Sequence, residues 1–245
     1  MSVHENFIVP DWPAPKNVRS LQTTRSGGVS VAPYNSFNLG DHVGDAPQAV
    51  AHNRQLLAQL MPSEPVWLQQ VHGTVVVDAG ATECLPQADA AVTRHRGAVC
   101  VVMTADCLPV LLCDESGTVV GVAHAGWKGL AAGVIESTVQ TMDIAPQKLL
   151  AWLGPAISQR AFEVGEEVRK VFVAQHAQAI EAFLPGENGK WMADIYLLAH
   201  QRLHALGVTR VYGGEHCTHG DSARFFSYRR DGATGRMGTF IWLEY

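Results

Sequence analysis

Little charge, no long apolar run and no paired-cysteine motif mark this sequence, and each shortage excludes something. Charged residues make up 17% of the 245 positions, with 18 Lys+Arg against 23 Asp+Glu, for a net charge of −5. There is no basic excess to neutralise a nucleic-acid backbone or an anionic bilayer, so neither is expected as a partner. The most apolar run, VCVVMTADCLPVLLC, is interrupted at Asp106 and falls short of the ~18 residues that read as a membrane span. The five cysteines, Cys84, Cys100, Cys107, Cys113 and Cys217, include no C-x-x-C pair. The opening MSVHENFIVPDW lacks the basic-then-apolar pattern of a secretory leader. A cytoplasmic protein with free thiols is therefore expected. Repeats, low-complexity tracts and linkers are also missing, so residues 1–245 are read as a single domain. Hydrophobic residues at 47% suffice for a substantial core.

What is present alternates irregularly between strand and helix patterns. Strands are expected over Asn17–Thr24, Val66–Gln70, Thr74–Asp78, Val99–Cys113, Thr118–His124, Leu149–Leu153, Val208–Tyr212, Arg224–Tyr228 and Met237–Leu243. A helix beginning near Pro47 has Asp45 as its expected N-cap. Further helices are expected from about Lys128 to Met142, over Gly165–Gln175 and over Asp194–Leu206. Hairpins mixed with crossovers favour an α/β fold in which mixed sheets pack as a sandwich with flanking helices.

The turn Asp114-Glu115-Ser116-Gly117 joins the two most apolar strands. Closed as a two-residue or four-residue hairpin, it places Cys107 opposite His124, on one face of the sheet. A thiolate and an imidazole so placed can share a metal ion. Pro109 cannot donate to a ladder, which implies an edge strand or a bulge there. His72, which ends an apolar strand in QQVHG, is the best third ligand; the alternative is a strand-end histidine facing water. His200 and His204 read as a solvated helix face, while His216, His219 and Cys217 form a weaker second cluster. His4, His52, His95 and His176 read as surface residues, and His42 in LGDHVGD as a substrate contact.

The stretches TTRSGG, NLGDHVGD, VWLQQVHG, MTADCLPVL, AHAGWKGL, AWLGPAI and FFSYRRDGATGRMGTFIWL resemble the YfiH family along essentially the whole chain. That resemblance implies a mixed α/β sandwich like the deamidase domain of cytotoxic necrotizing factors. It implies a metal held by the His of VHG, the Cys of ADC and the His of HAGW, here His72, Cys107 and His124. Two activities come with it: polyphenol oxidation of the laccase type, and purine nucleoside phosphorolysis accompanied by adenosine deamination. Amidase action on muropeptide precursors is a further suggested role.

A Cys-His-His set leaves one tetrahedral position open, which suits catalytic zinc. The resemblance implies adenosine, inosine and methylthioadenosine, with phosphate, as the small-molecule partners; a monomer or homodimer is expected. Arg25, before Ser26-Gly27-Gly28, is the candidate for phosphate, with Arg229 and Arg230 as rivals. Asn38 is a candidate for ribose or base, Glu163 or Asp106 for the general acid, and Trp127 and Lys128 for the pocket wall. Copper remains possible at one Cys-His-His site. However, the sequence contains no H-x-H pair of the kind a multicopper cluster needs. A metal-free reading treats Cys107 and His124 as a nucleophile–base pair.

Overall fold

The central apolar run does not form one strand. It breaks at Ala105–Cys107, where Asp106 takes a positive φ of 99°. The residues before the break belong to one sheet and those after it to another. The structure is a computed structural model that describes residues 6–81 and 85–245; His4 and Cys84 lie outside the described residues.

In chain order the strands are β1 (Val18–Gln22), β2 (Val76–Asp78), β3 (Ala90–Thr93), β4 (Val99–Thr104), β5 (Leu108–Asp114), β6 (Val120–Ala125), β7 (Leu149–Leu153), β8 (Glu163–Val164), β9 (Phe183–Pro185), β10 (Trp191–Ala193), β11 (Arg210–Gly213) and β12 (Met237–Leu243). The α-helices are α1 (Pro47–Ala58), α2 (Trp127–Ala132), α3 (Val134–Met142), α4 (Glu166–Gln175), α5 (Ile195–Leu206) and α6 (Tyr228–Asp231). A six-stranded mixed sheet has the order β11-β7-β5-β6-β3-β2, and three-stranded sheets have the orders β1-β12-β4 and β8-β10-β9.

Period-two patterning decides how these layers stack. Leu111 and Cys113 of β5 and Val120 and Val122 of β6 pack against Val18, Cys100, Val102 and Ile241 of the smaller sheet. The alternate residues Leu108, Val110, Leu112 and Ala123 face the helical layer, including Ile135 of α3 and Leu198 of α5. Val101, Met103, Phe240 and Trp242, on the outer face of the smaller sheet, meet Leu57 of α1 and the loop residues Phe37 and Leu39. The expected mixed sandwich with flanking helices is the fold observed.

Several local expectations need correction. In the β5–β6 hairpin, Pro109 faces His124 and Leu108 faces Ala125, so Cys107 does not directly oppose His124. The cause is Asp114. Its backbone N–H donates to Val119 O at 3.2 Å, so the closing pair is Asp114·Val119. Its carboxylate accepts from Ser116 N, Thr118 N, Thr118 Oγ1 and Val119 N, at 3.1, 2.6, 3.0 and 2.9 Å. The slip is by two residues, an even number, which leaves the side chains on their expected faces.

Pro109 lies in a central strand, not an edge. Its carbonyl accepts from Gly154 N just beyond the end of β7, so the missing donor falls outside the β5·β7 ladder. The helix expected over 128–142 breaks at Gly133, whose φ of 101° is left-handed. The segment expected as a strand over 224–228 ends in a helical turn capped by Ser227. Val66–Gln70 forms isolated bridges only. Ala46, not Asp45, is the N-cap of α1; Asp45 instead accepts from Ser30 Oγ and Asn38 Nδ2.

Burial alone would raise the Asp114 carboxyl, but the Val119, Thr118 and Ser116 donors outweigh it and hold its pKa below the usual range. A depressed folded pKa contributes stability that is present above the unfolded value and lost as pH falls through the folded one. Asp114→Ala is therefore expected to lower unfolding free energy by about 2 kcal/mol at neutral pH. The difference from wild type should shrink below about pH 4. Urea melts at pH 7 and pH 3.5 check both parts; an equal loss at the two values would contradict the account.

Candidate metal centre

Three side chains from separate segments meet at one end of the large sheet. His124 lies near the end of β6 and is buried; Cys107 immediately precedes β5 and is partly exposed; His72 sits in the loop before β2 and is exposed. Their ligand atoms all lie within 4.8 Å of one another, with Cys107 Sγ 3.8 Å from His72 Nε2. Bonds of 2.3 Å to sulfur and 2.0–2.1 Å to nitrogen set a ligand spacing of about 3.5 Å at a tetrahedral ion. The set therefore fits a metal with little adjustment. Gly126 keeps the space open: a Cβ there would lie 2.8 Å from His72 Cδ2 and 2.9 Å from Cys107 Sγ.

Asp89 organises the histidines. It is fully buried immediately before β3, where an ionised carboxylate persists only if its lone pairs are used. It accepts from His124 Nδ1 at 2.8 Å and from the backbone N–H groups of Val71, His72 and Gly73 at 3.1, 2.9 and 2.6 Å. The bond to Nδ1 leaves His124 Nε2 to face the cysteine. The three N–H bonds hold the loop in which His72 adopts a φ of 61°, a conformation rare for a residue with a side chain.

Cys107 is positioned by a second carboxylate. Asp106 accepts from Thr218 Oγ1 at 2.6 Å, Ser227 Oγ at 3.0 Å and Arg229 N at 2.7 Å. These bonds fix the left-handed corner and also tie it to α6. With both oxygens occupied as acceptors, Asp106 serves as an anchor, and the general-acid role considered for it does not suit this geometry.

The thiols diverge electrostatically. Burial pushes Cys113 up to about 12 and raises Cys100 further. Burial would also raise Cys107, but His124 and His72 outweigh it and hold that thiol at about 6. Burial would lower His124, but the Cys107 charge and the Asp89 bond raise it to about 9. The pair is thus poised as thiolate and imidazolium, and a cation replacing the proton would meet a ready anionic ligand.

Two unlike cavities meet at Cys107, sharing Ala105, Cys107 and Tyr228. One, of about 400 Å³, contains the three ligands together with His42, Gln70, Met103, Thr104 and Arg236. The other, of about 110 Å³, is walled by Trp127, Ile157, Phe162 and Ile195, with Asp106 and Arg229 at its margin.

The remaining candidates are distributed unevenly. His42 joins the ligands in the polar cavity and Arg229 lines the apolar one. Asn38 is fully buried; it donates to Gly40 O and Asp45 Oδ2 and accepts from Gly40 N and Arg236 N, so it braces a loop. Arg25 lines neither cavity; it donates to Asn35 O and Ser222 O and stacks on Phe226. Arg230 donates to the carbonyls of Thr218, His219 and Phe225 and pairs with Asp231. Glu163 is exposed on β8 and lines neither cavity. His200 and His204 border a separate surface hollow. Among the described residues, no second group of three or more potential ligands converges.

A family described as "Multi-copper polyphenol oxidoreductase laccase" matches residues 19–244. A purine nucleoside phosphorylase from Pseudomonas aeruginosa is 56% identical over 239 residues, covering 97% of this chain and 98% of that one. Purine nucleoside phosphorylase YfiH from Escherichia coli is 54% identical over 240 residues, with coverage of 97% and 98%. A Neisseria meningitidis crystal structure superposes with a TM-score of 0.95 at 52% identity, covering 98% of this chain and 100% of that one. A Bacillus licheniformis YfiH structure gives 0.86 at 30%, covering 93% of each chain. The chain belongs to the YfiH family.

Sequence reasoning from the YfiH-family motifs missed Asp89, Arg236, Tyr228 and Gln70. Asp89 carried a usable signal, an acid directly ahead of the wholly apolar stretch Ala90–Val92. Such a residue must either break the strand or be buried with partners. Arg236 had no local signal, because only the return of β12 beside β4 brings it to the three side chains, and Tyr228 depends on the distant bonds that tie α6 to Asp106.

Asp89→Asn should weaken metal affinity about 10- to 100-fold, as loss of a ligand's supporting hydrogen bond typically does. Competition against a chromophoric chelator measures this, and unchanged affinity would remove Asp89 from the account. In chelated protein, iodoacetamide should still alkylate Cys107 rapidly at pH 7, with the rate falling as pH drops through about 6. His124→Ala should move that midpoint up toward the ordinary thiol value of about 8.5. Peptide-resolved mass spectrometry separates Cys107 from the other thiols.

Proposed function

We propose that this protein is a purine nucleoside phosphorylase with one zinc ion held by His72, Cys107 and His124, and that it also deaminates adenosine. The observation that carries the reading is the meeting of the three side chains with a small apolar slot on one side and a larger cavity carrying polar side chains on the other. The slot, walled by Trp127 and Phe162, suits one face of a planar base. The polar cavity, with His42, Gln70 and Arg236, suits a sugar and an anion. The names of the Pseudomonas and Escherichia relatives support the same reading.

In phosphorolysis a phosphate oxygen bonds to C1′ of the ribose as the C1′–N9 bond breaks. The bonding pair leaves with the purine, which takes up a proton. The chain's part is to hold nucleophile and nucleoside in line and limit water access. Asp89 fixes the tautomer and direction of His124, and Asp106 fixes Cys107 and anchors the turn that carries Tyr228 over both cavities. When bound, zinc with three protein ligands supplies a Lewis-acidic open position that activates water, the chemistry deamination requires.

Metal-defined protein incubated with adenosine or inosine and phosphate should release free base and ribose 1-phosphate in equal amounts. Adenosine without phosphate should yield inosine. His72→Ala should lower both rates by at least about 100-fold, since it removes a metal ligand. If neither base nor ribose 1-phosphate forms above the His72→Ala background, the reading fails.

Copper-dependent phenol oxidation is favoured by the family's description, and it requires activity that tracks copper per chain. A metal-free cysteine amidase acting on muropeptide precursors is favoured by the Cys107–His124–Asp89 alignment. It requires turnover in fully chelated protein and a covalent adduct on Cys107.

A further inference from the structure

We propose that Arg236 is the anion-holding residue of this site, binding inorganic phosphate in the polar cavity beside the three ligands. The choice of phosphate rests on the phosphorylase reading; the anion site itself rests on the placement of Arg236.

Arg236 lines the same cavity as His72, Cys107 and His124. Several arginines are neutralised in place, since Arg54 meets Asp41, Arg202 meets Glu136 and Arg230 meets Asp231; Arg25, like Arg236, is part-buried without such a carboxylate, but it lines neither cavity. Among the described residues, no carboxylate lies within 4.0 Å of the Arg236 guanidinium. Cys107 and Asp106 act on the guanidinium only at longer range, so a forked oxyanion can still pair with it directly.

The side chain is also built in place. Nη1 donates to Thr234 O at 3.0 Å and to Gly235 O at 3.1 Å, and the backbone N–H donates to Asn38 Oδ1 at 2.8 Å. Gly40 admits the stem, since a Cβ there would lie 2.8 Å from Arg236 Cγ. These contacts use one guanidinium nitrogen and leave Nε and Nη2 without a hydrogen-bond partner among the described residues, while the group lies over the Tyr228 ring at 5.9 Å from its centroid. Two donors on one edge are what a bidentate phosphate takes. Asn38 thus acts on the anion only through Arg236. Arg25, by contrast, lines neither cavity and has spent Nε and Nη1 on carbonyls.

The test uses the zinc-loaded full chain. Arg236→Ala should raise the KM for phosphate about 10- to 100-fold, the range expected for a lost charge-assisted pair. The KM for phosphate should rise more than the KM for inosine, because the guanidinium fork is matched to the oxyanion. Arg236→Lys, which keeps the charge and loses the fork, should fall between Ala and wild type. Phosphorus-31 line broadening with inorganic phosphate alone should report binding to wild type and its loss in Arg236→Ala, whether or not the variant turns over. A phosphate KM within twofold of wild type in Arg236→Ala, or a rise in Arg25→Ala instead, overturns the inference. Wild type that binds phosphate through Arg236 yet yields no ribose 1-phosphate leaves the anion site standing and removes the phosphorylase reading.

Discussion

A carboxylate sealed from water must find its solvation inside the protein, and at Asp89 that requirement shapes the whole site. Four donors converge on its two oxygens: three consecutive backbone N–H groups and the Nδ1 of His124. The same residue's carbonyl accepts from His124 N at 2.7 Å, which locks β3 to β6 beside the histidine. One side chain therefore fixes the direction of one ligand and the backbone conformation that presents another. Its pKa is held low: burial opposes ionisation, but the His124 and Gly73 donors outweigh it. The acceptor therefore keeps its charge to lower pH than an ordinary carboxylate does.

Asp106 repeats the device with a different result. An apolar chain leaving the smaller sheet must turn sharply to enter the larger one, and the turn needs a left-handed residue. Glycine would serve sterically, but an aspartate there brings two acceptor oxygens to Thr218, Ser227 and the backbone of Arg229. The corner that aims Cys107 is thereby joined to α6, whose bonded residues lie 121 and 123 positions further along the chain. Asp, Cys and Pro within MTADCLPV thus have separate duties: a corner, a ligand, and a first turn of strand where a missing donor does no harm.

The mixed sandwich and the meeting of His72, Cys107 and His124 were legible in the sequence, because period-two patterning and parity survive small errors, whereas β3, β8, β9 and β10 carried too short a pattern to be expected. The β5–β6 register was misjudged by two residues and His124 still turned toward the cysteine, since an even slip preserves the face. Breaks were harder to read. Gly133 and Asp106 sit inside apolar patterns that look continuous, and only a positive φ distinguishes them. Arg25 and Arg236 show the limit most clearly. Each stands beside small residues in a distinctive motif, yet one is consumed by loop carbonyls and the other opens on the ligands. That difference depends on contacts between segments about two hundred positions apart, such as Arg236 N to Asn38 Oδ1.

The two chemistries open to Cys107 exclude one another. A thiolate bound to a cation is no longer a free nucleophile, and a thiolate that attacks substrate cannot also be a ligand. A nucleophilic pair would need only Cys107, His124 and the orienting Asp89. It would have no use for His72, placed 3.8 Å from the sulfur in a backbone conformation that side chains seldom adopt. Three of the four donors to Asp89 serve to hold that loop. A backbone constrained to that degree in order to aim a third ligand at the same point makes sense when the point is occupied by a metal ion, and this is the physical ground for ranking the metal enzyme above the cysteine hydrolase.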